Sequence, residues 1–244
     1  MIHIGLTHHL FRQLARGKRL WGMAALSSTA GLVAFIASSR RSAEDAIEGY
    51  HFITTSVAAA TLSIAILVMG AAVLRDERDG GTLPYLFIKP ISRWSFAFSA
   101  WVAAAAASAI AVLIGWVVGW VGMGVATGSW TVAVPALSLY LSAVVGYTAI
   151  FVPIGYLFTR AVLIGLAYVF VWEGIITSFV TGLSASSVWR TALSIYADLT
   201  VLPEGAIDLG SVEPGLGGGL IKLGVIGVAG VSLLYWALRR RDAI

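Results

Sequence analysis

The chain has no cysteine. Disulfides, thiolate metal centres and cysteine nucleophiles are therefore excluded. Charge is nearly as scarce: 11% of the 244 residues are Asp, Glu, Lys or Arg, against about a quarter in a soluble domain. Residues 94–159 carry no charge at all. With 59% hydrophobic residues, such a chain cannot clothe itself in a solvated surface, so most of it must lie in lipid. No GxxxxGK[ST] stretch occurs, so the chain does not bind ATP in the Walker manner. No cluster of His, Asp, Glu or Cys falls inside the apolar runs, which argues against a membrane-embedded enzyme. The net charge of +4 is spread along the chain rather than gathered into a patch, so nucleic acid is not an expected partner.

What is present is a series of apolar runs long enough to cross a bilayer, at about 20 residues per crossing. Four are plain: 20–39, 52–74, 161–181 and 220–238. The charge-free stretch breaks best at Thr127, Gly128, Ser129, Trp130 and Thr131, with Pro135 close behind, giving 96–126 and 132–159. The expected architecture is all-α, a single transmembrane domain over 1–244 with six spans. Bases test the count. Twelve of the sixteen fall on one side: Arg12, Arg16, Lys18, Arg19, Arg75, Arg78, Lys89, Arg93, Arg160 and Arg239 to Arg241. Arg40, Arg41, Arg190 and Lys222 fall on the other. Both termini are therefore expected in the cytoplasm, as in a multi-pass protein of the inner membrane.

Residues 1–19 are too polar for a secretory leader. Ile4, Leu10, Phe11 and Leu14 recur at helical spacing opposite His8, His9, Arg12 and Arg16, which predicts an amphipathic interfacial helix. His3, His8 and His9 do not share one face, so no metal site is expected there. Gly115 and Gly119, the run Ala103 to Ala107, and the stripe Gly224, Gly227 and Gly230 predict close helix packing. Trp21, Trp94, Trp116, Trp120, Trp130 and Trp189 fall near span ends, as interfacial belts do. Pro153 is expected to kink the fourth span.

The densest charge cluster opens the stretch 75–94. Arg75, Asp76, Glu77, Arg78 and Asp79 precede Gly80, Gly81 and Thr82. Leu83, Pro84, Tyr85, Leu86, Phe87 and Ile88 follow, then Lys89, Pro90, Ile91, Ser92, Arg93 and Trp94. Thr82 is an expected N-cap, Pro90 ends a short helix after about two turns, and Ser92 caps the next span.

Glu77, Arg78, Asp79, a glycine, Thr82, Leu83, then Pro90, Ile91, Ser92 and Arg93 resemble the first cytoplasmic loop of ATP-binding-cassette (ABC) exporter permeases of the type 2 class. Two features depart from that pattern: Asp79 and the doubled glycine shift the acidic spacing, and Ser99 and Ala100 stand where a Gly-Lys pair is frequent. The resemblance implies a short coupling helix that docks on a separate ATPase subunit, with Glu77, Thr82, Leu83, Tyr85, Leu86, Phe87, Pro90 and Arg93 as coupling residues. It implies two ATPase copies holding ATP and magnesium, and a second permease chain as homodimer or heterodimer partner. It implies no catalysis in this chain. It further implies that the loop 182–219 holds small helices dipping back toward the membrane. From the residues themselves, an apolar stretch from Trp189 to Leu202 can form a helix ended by Pro203, and the glycines at 215 and 217–219 read as a flexible entry to the last span.

One acid, Glu173, lies deep in a span. Ionised and facing lipid it would cost several kcal/mol, so it must face protein or a water-filled path, or be protonated. No base is expected at its depth, and Thr177 and Trp172 are its nearest polar candidates. It is a candidate residue of the translocation path, or a hydrogen bond between helices. A secondary transporter, the competing reading, needs inverted repeats and paired intramembrane charges, and neither is visible in the sequence.

The topology has a direct test. A membrane-impermeant reagent applied to intact cells is expected to modify a tag placed in 182–219 and to leave a C-terminal tag untouched. Labelling of the C-terminal tag would invert the arrangement.

Overall fold

The computed structural model describes residues 3–38, 42–82, 91–200, 209 and 215–241, and structural statements refer to these. Eight helices account for nearly all of them. A short first helix, α1 (Ile4–Ala15), precedes five long ones: α2 (Lys18–Ser38), α3 (Ala43–Asp79), α4 (Arg93–Thr127), α5 (Ala133–Leu157) and α6 (Ala161–Phe179). A 3-10 segment, Thr181–Ser186, leads into α7 (Val188–Asp198), and α8 (Gly215–Arg241) closes the fold. Among the described residues, six helices (all but α1 and α7) are long and apolar enough to cross a membrane. They match the six spans read from the sequence, and no strand occurs among the described residues. Six crossings return the end of α8 to the side where α1 lies. That side also carries the turn after α3 and is called the loop end below; the opposite side is the far end.

The largest departure in length is α3. It begins nine residues before the expected apolar run, because Ser42 caps it: the Ser42 hydroxyl accepts from the Asp45 amide at 3.3 Å and donates to the Asp45 carboxylate at 2.6 Å. Asp45 and Glu48 then sit near the positive end of the helix, where acids are favoured. At 37 residues, α3 rises about 55 Å, well beyond a hydrocarbon core of about 30 Å.

Small residues set the helix crossings. Ala97, Ala100, Ala103, Ala104, Ala107 and Ala111 make a fully buried face on α4. Where α2 crosses α4, a Cβ on Gly31 would stand 2.5 Å from the Gly119 Cα, and one on Gly115 2.5 Å from the Ser27 carbonyl oxygen. The expected GxxxG contact is thus made, with α2 as its partner. The glycine stripe of the last span divides. Gly230 is pressed against the Ala149 backbone of α5, whereas a Cβ on Gly224 would meet nothing within 4 Å.

α1 spends its apolar face on protein. Leu6, Leu10 and Leu14 are buried against α3 and α4, while Ile4, expected on that face, is 80% exposed. The stripe runs 6, 10 and 14 with Phe11 packed beside it, so of the expected positions Ile4 alone falls away and Leu6 joins. The tryptophans divide too. Trp21, Trp94 and Trp130 are exposed near helix ends, as a belt requires. Trp116 and Trp120 stack on each other at 5.3 Å, and Trp116 donates its indole N–H to the Ala133 carbonyl at 2.9 Å. Trp189 is buried, so it is not a belt residue. Gly217 to Gly219 are helical, which corrects the reading of that run as flexible.

Gly115→Val is expected to force α2 and α4 apart and to cost about 1–3 kcal/mol, as overpacking does, seen as a lower thermal midpoint of the purified protein. Gly22→Ala, where a Cβ meets nothing within 4 Å, is the matched control and should not lower it.

Candidate functional site

Three consecutive residues in the last turn of α3 reach three different helices. An α-helix turns about 100° per residue, so neighbours in sequence point in different directions. Asp76 receives Arg19 of α2, with Nη1 to Oδ2 at 2.7 Å. Glu77 lies 3.1 Å from Nε2 of His9 on α1. Arg78 donates to the Tyr156 carbonyl near the end of α5 at 3.0 Å. Arg75 and Asp79 pair with each other at 3.1 Å. Glu77 is the buried member, 4% exposed. A carboxylate in that position is tolerated only with its oxygens occupied, and Thr82 supplies the second partner by donating its hydroxyl to Oε2.

The same turn ends α3 by a closed motif. Gly81 is left-handed, with φ +68°. Its amide donates to the Arg78 carbonyl at 3.1 Å, and the Thr82 amide donates to the Glu77 carbonyl at 3.0 Å. This is the Schellman closure, which needs a residue free to take positive φ. It gives the second glycine of the pair a defined job. Thr82 therefore closes the preceding helix with both its amide and its hydroxyl. The short helix it was expected to cap, together with Leu83, Tyr85, Leu86, Phe87 and Pro90, lies outside the described residues. On the far side of that gap Ser92 accepts from the Ser95 amide at 3.2 Å and caps α4, of which Arg93 is the first residue.

Glu173 sits at the other candidate position. From Tyr168 to Ile176 the backbone of α6 is π-helical, so residues five apart come onto one face; in an α-helix they would diverge by about 140°. Tyr168 thereby donates its hydroxyl to Glu173 Oε1 at 3.0 Å. The Val188 amide donates to the same oxygen at 2.9 Å, and the Ser187 hydroxyl donates to Oε2. Thr177 is not a carboxylate partner: its hydroxyl donates to the Glu173 backbone carbonyl at 2.8 Å. A cavity of about 150 Å³ adjoins the carboxylate, with Ser56, Tyr147, Phe170 and Trp189 in its wall.

The partners of Glu173 show what it holds. Val188 is the first residue of α7 and Ser187 its N-cap, which also accepts from the Arg190 amide at 2.9 Å. α7 is amphipathic and packs on α5 and α8. Its start lies at Gly146, midway along α5, where a Cβ would collide with Val188. Its far end lies at the start of α8, where Asp198 accepts from the Leu216 amide at 2.8 Å. α7 thus re-enters the bundle, with its N-terminus at mid-depth. Free N–H groups at membrane depth must be met by the protein, and Glu173 meets this need with its carboxyl oxygens at the positive end of the helix. On α3, His51 hydrogen-bonds the Tyr196 hydroxyl and fixes the other end of α7.

Sequence reasoning passed over four of these residues. Tyr168, Ser187, His51 and Arg19 carry no local signal beyond their chemistry. Only Ser187 could have been found, as a serine directly ahead of the apolar run 188–197. His3 and His9 proved structural as well: His3 caps α1, accepting from the Leu6 amide at 3.2 Å.

A family model described as an ABC-2 family transporter protein matches residues 11–184. The match takes in the last turn of α3 and Glu173 and stops short of α7. No curated protein matches the chain.

Glu173→Ala is expected to strand two buried donors, at Ser187 and Val188, at about 1–3 kcal/mol each, and to free the half-buried Tyr168 hydroxyl, lowering the thermal midpoint and speeding hydrogen exchange across 187–198. Glu173→Gln keeps an oxygen toward Tyr168 and Val188 and offers an amide to Ser187, so it should retain most of the stability. Slow exchange in α7 of the alanine variant would show that Glu173 is not its anchor.

Proposed function

The chain belongs to the ABC-2 family of transporter proteins, and from that premise we propose that it is the permease of an ATP-driven exporter. As a membrane transport subunit of that family it supplies the path across the bilayer. In the fuller reading, ATP and magnesium are bound by a separate ATPase subunit present in two copies. Two permease chains pair to enclose the path. The loop end faces the cytoplasm and the chain resides in the inner membrane. Closure of the ATPase pair moves residues 83–90, and that motion switches access from one side to the other.

The observation that supports this reading best is the lock on the last turn of α3. Asp76, Glu77 and Arg78 fasten that turn to α2, α1 and α5 immediately before the segment proposed to dock. Displacement of the segment would therefore be delivered to four helices together. Glu77 and Thr82 act in this scheme as the elbow, and Leu83, Tyr85, Leu86, Phe87, Pro90 and Arg93 as the contact and its second hinge. Glu173 acts as the anchor of α7, whose position at the far end suits a cap on the exit. Beside the adjoining cavity, Glu173 also keeps its place as a candidate residue of the translocation path, since Oε2 receives one protein donor among the described residues and retains acceptor capacity.

Aromatic anchors at an interface contribute about 2 kcal/mol or more each. Tyr85→Ala with Phe87→Ala is expected to weaken co-purification of the ATPase subunit, or to uncouple hydrolysis from transport, while insertion of the permease stays normal. Transport at the normal rate per ATP in the doubly substituted complex would remove this segment from the mechanism.

A further inference from the structure

A groove of about 270 Å³ opens between α4, α5 and α8. Trp94, Phe98 and Trp101, one face of α4, stand across it from Gly224, Gly227 and Val231 of α8. Its wall is apolar along its length. The glycines hold it open. A Cβ on Gly224 would meet nothing within 4 Å, and one on Gly227 only the Trp101 ring, at 3.8 Å. Neither is needed for helix approach, in contrast to Gly230 on the same helix. Any larger side chain at 224 or 227 would fill the space.

The end of the groove nearest the loop end is of a different kind. Trp94 stacks on Tyr235 at 4.8 Å, and Arg239 donates from Nη1 to the Tyr235 hydroxyl at 3.3 Å. The Arg240 guanidinium lies 4.4 Å over the Trp236 ring. An unbroken line of contacts therefore leads from the apolar wall through an aromatic pair to the exposed Arg239, with the exposed Arg240 next to it in sequence. Tyr and Trp mark the headgroup level of a bilayer, and guanidinium groups bind phosphate. From Leu223 to Arg239 the helix rises about 24 Å. One leaflet with its headgroups is about 20–22 Å thick. An apolar wall around about 270 Å³ suits a single extended hydrocarbon chain.

We propose that this groove seats an acyl chain of an anionic phospholipid from the leaflet at the loop end, with its phosphate held by Arg239 and Arg240. The seat is independent of the transport mechanism and requires only that the chain lie in a membrane. Its occupant would fill the space between α4 and α8, and so tie the last helix to the one that begins directly after the segment 83–90.

The test uses the full chain in nanodiscs of phosphatidylglycerol and phosphatidylcholine, with a trace of either lipid carrying a photoreactive acyl chain, followed by peptide mapping. Labelling by the phosphatidylglycerol probe is expected to concentrate several-fold on the peptides of Trp94 to Trp101 and Gly224 to Val231, relative to exposed α6 residues such as Leu163 and Phe170. Gly227→Leu, and separately Gly224→Leu, should cut groove labelling at least fivefold and leave α6 labelling as it was, which also reports intact insertion. Arg239→Gln with Arg240→Gln should retain groove labelling but abolish a threefold or greater preference for phosphatidylglycerol over phosphatidylcholine. Equal labelling of groove and α6 in the unaltered chain would overturn the seat, as would groove labelling indifferent to both leucine substitutions. Cross-links joining two copies of the chain through this groove would assign it to a protein partner instead. Equal use of the two lipids by the unaltered chain would overturn the role given to the arginines.

Discussion

One buried carboxylate governs the loop end. Glu77 is almost wholly shielded from solvent, and its two oxygens are divided between His9 of α1 and the hydroxyl of Thr82. Removing either partner would leave a charge underpaid in hydrogen bonds where water cannot make up the loss, and this is why the position is rigid. Asp76 and Arg78 extend the lock to α2 and α5. The remaining pairs at this end are more exposed and of ordinary surface strength. Position, rather than number, makes the charge cluster matter: it occupies a turn from which three neighbouring helices are within reach.

The same constraint, that a polar group out of water must be paired within the protein, explains the far end. A helix that starts at mid-depth exposes N–H groups with no water to receive them. The chain answers with an acid from the adjacent span, and bends that span's own hydrogen bonding into a π register so that Tyr168 can share the load. Carboxylates thus do the decisive work at both ends. Glu77 fixes the end of a helix that leads to the segment proposed to dock. Glu173 fixes the start of a helix at the far end.

Much of this was legible in the sequence. The six spans could be counted because charge is confined to short intervals and each interval between them accommodates a crossing; the largest misplacement was the start of α3, where Ser42 and Asp45 extend the helix beyond its apolar run. Close packing at Gly115 and Gly119 was legible for the same reason, since small residues at that spacing have few other uses in lipid. What escaped was set by contacts distant along the chain. Leu6 joins the buried face of α1 because of where α4 lies. Gly81, which read as a departure from the expected loop pattern, is explained by a left-handed φ and a helix closure. Gly224 and Gly227, which read as packing positions, border open space. Of Glu173 the sequence could say that it needs a partner. It could not say that the partner is a re-entrant helix 14 or 15 residues on, because the π turn that aims the carboxylate leaves no mark in residue spacing.

The central claim is that the last turn of α3 joins α1 and α2 to α3 immediately before the segment proposed to dock. Because the chain has no native cysteine, paired spin labels can be placed without background. With labels at Ile4 of α1 and Trp21 of α2, both largely exposed, the distance distribution in reconstituted protein should be narrow and single. It should broaden markedly on Glu77→Ala while the same pair in the Asp79→Ala background stays narrow. A distribution indifferent to the loss of Glu77 would show that α1 is held by its leucine face alone, and that the carboxylate is not what joins the loop end into one body.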